Sequence, residues 1–253
     1  DQNAIENSLA TFEGEAASAI KRLEETLLFE GETKTLILNL IALLAVRSPE
    51  MREHWRGFQA KIVEQLMDLS LATKERWGSQ ISQMKESGKE IDDNVTYEDV
   101  KRFHESKEYE ITVAREHHIH MEFVGIEAIL PGLEGRNWLL IKSTEKTGPF
   151  ITTDNPVNLS WKEPEKIPPL YRNSPGYGMK DTQVYFPISR NIALIGEFDG
   201  SDSMIEGDLN LISALNTKML MFTYKQLYSS KTDFKFSKNC SLEISFICPS
   251  IPL

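Results

Sequence analysis

Two cysteines in 253 residues, Cys240 and Cys248, are too few for a disulfide framework. If one straight strand joined them they would lie roughly 26 Å apart, beyond bridging distance, although a turn between them would change that. Paired Cys-x-x-Cys zinc ligation is impossible with this set. Positive charge is also short: 28 Lys and Arg face 38 Asp and Glu, a formal net charge of −10. Non-specific nucleic-acid binding by wholesale phosphate neutralisation is therefore disfavoured, a local basic groove apart. Long apolar runs are missing too. The most apolar run, LILNLIALLAV at 36–46, rises about 16 Å as a helix, half a bilayer core, so it predicts a buried helix and no membrane span. No Gly-x-Gly-x-x-Gly follows a strand, and no phosphate loop, Gly-x-Ser-x-Gly elbow or His-Glu-x-x-His occurs. No Glu precedes a His by three residues, which removes the di-iron bundle pattern. These absences disfavour nucleotide-driven motors, dinucleotide oxidoreductases, serine hydrolases of the usual kind and zinc proteases, and they leave any cofactor unknown.

What is present has ordinary globular composition, 40% hydrophobic and 26% charged. No signal peptide is visible, which points to the cytoplasm. Ile5, Leu9, Phe12, Ala16, Ala19, Ile20, Leu23 and Leu27 recur at helical spacing, predicting a helix over 3–29 punctuated by Gly31. The next helix is apolar nearly all round and must be covered by other elements. RSPE at 47–50 is a stop-and-restart signal, with Ser48 as cap and Pro49 at the first position of a helix reaching about Thr73. Trp55, Ile62, Leu66 and Leu69 share one of its faces. Residues 74–96 are polar and suggest a short helix and a mobile loop. Thr96 and Asp99 form a near capping box before another helix. A helix from about Ile111 is expected to break at Pro131-Gly132.

Beyond that point the character changes. NWLLIKS, PFITTD, VNLSW, QVYFPIS and NIALIGEF are short β-branched or aromatic runs between turn residues, and read as antiparallel strands. Residues 162–182 make a long loop. DLNLISALNTKMLMFTYKQLYSS predicts a long late helix, with Asp208 as cap and Leu211, Leu215, Met219 and Phe222 as its buried stripe. FKF and LEISFIC add one or two further strands. The order is helices first, sheet second. It predicts a single α+β domain over 1–253, mainly helical to about 132, with a small antiparallel sheet and one long late helix from 133 onward.

Four places could carry chemistry. REHHIH at 115–120 puts His117 and His120 on one helical face with Glu116 one turn before His120, a possible metal or proton-relay cluster, or simply a polar surface. No fourth ligand is identifiable, so no metal is assigned. Arg47 ends an otherwise uncharged helix. It either satisfies the last carbonyls or clamps a carboxylate or phosphate. Glu13 lies beside small residues in FEGEAA and is either an exposed helix Glu or a partly buried partner for Arg47. Asp154 closes the ITT strand in Asp154-Asn155-Pro156. It serves as a turn former, or as a reactive carboxylate delivered to a strand end.

These residues assemble into a pattern that resembles the mostly bacterial domain-of-unknown-function family 4238. AIENSLATFEGEAASAI looks like its early helix with two spaced Glu, here Glu6 and Glu13. LIALLAVRSPEMR looks like its apolar helix ending in Arg-Ser/Thr-Pro-x-x-Arg, here Arg47, Pro49 and Arg52. The Trp138 strand, Phe150 and Thr153-Asp154-Asn155-Pro156 match its most specific segment, and YFPIS with Pro187 fits one of its strands. Asn216 followed by Tyr228-Ser229 looks like its closing helix. The resemblance spans about 5–230. Family members usually begin with a His-Tyr-Val-Pro segment that does not occur here, so any site using that His is incomplete in this sequence. The resemblance implies a bacterial relative without naming a reaction.

Two functions are expected from these residues. One is a hydrolase acting on a phosphoester or nucleic acid, with Asp154 as base or metal ligand, Arg47 and Glu13 in the same site, and Asn155, Asn216 and His120 as binding candidates. The other is a non-catalytic module that binds a small ligand or a protein partner, in which the same side chains form a buried structural network. Convergence on an open pocket favours the first, and mutual pairing without one favours the second.

Overall fold

The computed structural model describes residues 4–92, 94–112 and 115–237. Cys240, Cys248, the LEISFIC strand and the side chains of Glu116 and His117 lie outside the described residues. The chain is α+β, 52% helical and 13% strand. It divides into two compact units, one of residues 1–49 and 124–253, the other of residues 50–123.

In the larger unit the first two helices are α1 (Ala4–Thr26) and α2 (Gly31–Val46). The helical stripe expected of α1 is used selectively: Ala16, Ala19 and Leu23 are buried, whereas Ile5 is exposed. The helix stops earlier than the pattern suggests. Leu27 takes a left-handed turn at φ 57 directly after α1, its N–H donating to the Leu23 carbonyl at 2.8 Å, and Gly31, also left-handed at φ 54, opens α2. Leu27 and Phe29 then pack on the main core, and this burial offsets the roughly 1–2 kcal/mol that a non-glycine residue pays there. The apolar α2 is buried as expected, with Ile37, Ile41 and Ala42 fully inside.

The sheet runs β3 (Asn158–Trp161), β4 (Thr182–Pro187), β5 (Ile192–Glu197), β1 (Asn137–Lys142), β6 (Ser203–Glu206). All neighbours are antiparallel except β1 and β6, so the sheet is mixed and not purely antiparallel. Alternation divides its side chains between two cores. Trp138, Leu140, Val184, Phe186, Ile192 and Leu194 join α1 and α2 in one. Ile141, Tyr185, Ala193 and Ile195 join α7 (Leu209–Met221) in the other. Asp208 caps α7 as expected, accepting from the Leu211 N–H at 2.8 Å. The buried positions of α7 are Ile212, Leu215, Asn216, Thr217 and Met219. The helix ends at Met221, well short of Ser230, and the chain folds back so that β7 (Leu227–Tyr228) pairs with β2 (Thr152–Thr153) in a separate two-stranded sheet. FKF, residues 234–236, forms no strand.

Residues 50–123 hold most of α3 (Pro49–Ser70), α4 (Lys74–Glu86), α5 (Tyr97–Ser106) and the first half of α6 (Arg115–Glu134). Thr73 and Thr96 cap α4 and α5 through their side chains. The expected apolar face of α3 is not core: Ile62, Leu66 and Leu69 are 40%, 55% and 58% exposed. Pro131 does not break α6 but sits in its last turn. Gly132 acts as a close-approach seat, because a Cβ there would meet the Tyr177 carbonyl oxygen at 2.7 Å.

Candidate functional site

The Asp-Asn-Pro segment works as a bracket. The Asp154 carboxylate accepts three backbone N–H bonds, from Tyr224 at 3.1 Å, Lys225 at 2.8 Å and Gln226 at 3.1 Å, and its own N–H donates to the Gln226 carbonyl at 3.1 Å. A carboxylate is the natural partner for successive free amides where the chain turns after a helix. No guanidinium is among its partners. The Asn155 N–H donates to the Thr153 hydroxyl, and Asn155 is buried. Asn216 is fully buried and splices three segments: its amide oxygen accepts from the Ile151 N–H, and its amide nitrogen donates to the carbonyls of Pro149 and Lys235. Asp154, Asn155 and Asn216 thus converge on β2, as the sequence motifs imply, but as its frame.

Among the described residues none of the other sequence candidates bonds to the Asp154 carboxylate. Arg47 closes α2, partly buried, with its N–H on the Leu43 carbonyl at 3.0 Å. Glu13 is exposed on α1, and nothing lies within 4 Å of where a Cβ on neighbouring Gly14 would stand. His120 is exposed on α6, in the smaller unit. Among the described residues no group of three or more His, Cys, Asp or Glu side chains could hold a metal ion.

Beside the framed strand is a cleft of about 190 Å³. Phe150, Ile151 and Thr152 come from the β2 segment, Pro187, Ile188, Ser189 and Arg190 from the end of β4 and its turn into β5, and Tyr228, Ser229 and Ser230 from β7 and beyond. The β4–β5 turn is fixed by the Arg190 carbonyl, which accepts from the Phe150 N–H at 2.9 Å. Two hydroxyls are spent on the protein: Tyr228 donates to the Gln226 side chain and Ser229 to the Lys231 carbonyl. The lining contains no carboxylate.

Three further charged or titratable groups escaped the sequence reading. Arg136, 2% exposed, donates to the carbonyls of Gly132, Gly196, Tyr177 and Thr182 and to the Thr182 hydroxyl, tying the end of α6 to β4 and β5. Burial lowers its pKa to about 10. An Arg wedged between a helix-ending Gly and an apolar strand was the available signal. Lys218 on α7 donates to the Gln183 side-chain oxygen at 2.7 Å, and Gln183 donates in turn to Glu197 at 2.5 Å. Burial brings the Lys218 ammonium down to about 8, against the attraction of Glu197. In the smaller unit the buried His104 ring contacts the Asp68 carboxylate through Nε2 and the Tyr109 hydroxyl through Nδ1, both at 2.6 Å. That bond is the main cause holding Asp68 below the usual carboxylate range. No spacing in the sequence announces this trio.

No curated protein and no solved structure matches the chain. A family model does, over residues 1–233, a span that takes in the Asp-Asn-Pro bracket, Asn216 and the Tyr228-Ser229 wall of the cleft. The chain therefore belongs to DUF4238, a family of proteins of unknown function.

Proposed function

We propose that this chain is a binding module that holds a small molecule in the cleft between β2, the β4–β5 turn and β7. The observation that carries the reading is the commitment of both Asp154 carboxylate oxygens to backbone amides, beside an open cleft whose walls that bracket fixes. Hydrolysis of a phosphoester with Asp154 as base needs that carboxylate to face the substrate, whereas Asp154 lines no part of the cleft and accepts three backbone N–H bonds. In the binding reading Asp154, Asn155 and Asn216 are positioning residues, and the cleft is where chemistry meets solvent. A mostly apolar cavity with a few polar groups at its rim is the usual form of a ligand site.

The test is a small-molecule screen by thermal shift on the wild-type chain and on Ser230→Trp. Ser230 is exposed and its hydroxyl has no partner among the described residues, so the indole would fill the cleft without disturbing the frame. Compounds that stabilise the wild type should lose their effect on the variant. Hits that act equally on both would refute binding in this cleft.

A further inference from the structure

We infer that the ligand of this cleft is a small organic anion, a carboxylate or phosphate monoester on a short apolar body, held by Arg190; the inference rests on the binding reading above. Four observations lead to it. The first is charge. In a chain of net charge −10, ten residues line the cleft, and its one ionisable side chain that is charged at neutral pH is a guanidinium. Arg190 makes no ion pair or side-chain hydrogen bond among the described residues, and it is not held back by a neighbouring acid. A guanidinium fork with free donors matches the paired oxygens of a carboxylate or phosphate.

The second observation is the donor balance. Thr152 and Ser230 have hydroxyls bonded to nothing else among the described residues. The Ser189 oxygen accepts from the Asn191 N–H at 3.2 Å, which leaves its O–H to donate outward. Three hydroxyl donors and a guanidinium, with no carboxylate to compete, form a lining that favours acceptor-rich groups. The third is preorganisation. The Arg190 backbone is pinned through its carbonyl to Phe150, so the turn that carries the guanidinium is held against the cleft wall before any ligand arrives. The fourth is size and floor. Phe150, Ile151 and Pro187 are buried apolar residues, and about 190 Å³ is below the range of roughly 300–1,000 Å³ typical of sites for drug-sized ligands. The body of the ligand is therefore short and apolar, and the head is the charged end.

The experiment measures binding of benzoate, phenyl phosphate and benzyl alcohol by ligand-observed NMR and calorimetry, on the full chain and on Arg190→Gln and Ser230→Trp. Arg190 is exposed, so its replacement leaves the core untouched. The expected result is that at least one of the two anions binds more tightly than the alcohol. Arg190→Gln should then weaken that anion about tenfold or more while leaving the alcohol unchanged, and Ser230→Trp should abolish both. The tighter of benzoate and phenyl phosphate identifies the head group, and either supports the inference. If the alcohol binds as well as the anions, or Arg190→Gln makes no difference, the anion inference is overturned while the binding reading stands. If no probe binds and the screen on the wild type is also empty, both are overturned.

Discussion

At the scale of single residues, the described side chains divide into those that bond within the protein and those, such as that of Arg190, whose polar atoms have no partner among the described residues. Asp154 belongs to the first group. Its three amide partners are 70 to 72 residues away in sequence, so its role is tertiary and cannot be read from the turn it occupies. Asp154→Asn keeps the shape, removes the charge and points an amide N–H₂ at a backbone donor. We expect it to lower stability by about 1–3 kcal/mol, seen as a lower urea midpoint at unchanged m-value. Ligand binding by molecules that remain folded should change much less than it does in Arg190→Gln, because Asp154 lines no part of the cleft. An unaltered midpoint would show that the bracket carries no net energy. The sequence marked the Asp-Asn-Pro segment and Asn216, which meet at β2, and it placed Tyr228 and Ser229 in a closing helix that in fact ends at Met221. It could not reveal which of them face solvent, because the answer depends on whether a distant chain segment consumes their hydrogen-bonding capacity. Arg190 stayed hidden for the same reason: a turn Arg between two strands looks like any surface charge until the lining around it proves to hold no acid.

Among elements, α7 shows why periodicity both informs and misleads. Its cap and its buried Leu215 and Met219 followed from pattern alone, but its end did not. Phe222, Tyr224 and Leu227 continue the apolar spacing, yet the Asp154 carboxylate captures the amides of 224–226 and converts a would-be last helical turn into β7. The strand β6 was missed because all four of its residues are exposed, which leaves no alternation to detect. Pro-Gly at 131–132 suggested a break because local rules give it that meaning, whereas Gly132 is required by the Tyr177 backbone pressing against α6. Gly132→Ala should accordingly destabilise by about 1–3 kcal/mol, the usual cost of overpacking, and a thermal midpoint equal to wild type would refute the close approach. The same helix α7 carries a pH signature in Lys218. Its ammonium is depressed from 10.5 to about 8 by burial, so between those values the unfolded chain binds the extra proton and stability rises with pH. Burial pushes the Tyr177 and Tyr185 phenols up from 10.0, which takes stability away above about pH 10 and offsets what Lys218 and the lowered Arg136 add there. The gain is therefore largest between about pH 8 and 10, over which Lys218 itself contributes about 2 kcal/mol. Lys218→Met should flatten this rise, and a wild-type profile that falls through the window would contradict the depressed lysine.

For the whole molecule, the two compact units are unequally supplied with core. Among the described residues nearly every buried apolar side chain belongs to 1–49 and 124–253, where two clusters lie on opposite faces of the sheet. Among the described residues of 50–123 the buried ones are Ser70, Leu71 and His104, of which only Leu71 is apolar. Phe58, Leu66, Leu69 and Phe103 in that unit are 50–58% exposed. The smaller unit is thus held by helix caps, by the Asp68–His104–Tyr109 contacts, and by surface ion pairs such as Arg52–Glu122 and Lys107–Glu64 at 3.1 and 2.9 Å. Exposed pairs of this kind contribute about 0–1 kcal/mol each, far less than a buried apolar cluster. The helical half that the sequence presents as one continuous block is therefore expected to span two regions of different stability. Apolar spacing reveals helices, but not which of their faces will find a partner. Native-state hydrogen exchange should separate the regions: amides of α3, α4 and α5 should exchange through openings of lower free energy than those of β1, β4 and β5. Added salt should lower protection in 50–123 more than in the sheet, because ion pairs are screened and apolar burial is not. Equal protection in both regions, insensitive to salt, would mean that residues 50–123 are stabilised by contacts other than these.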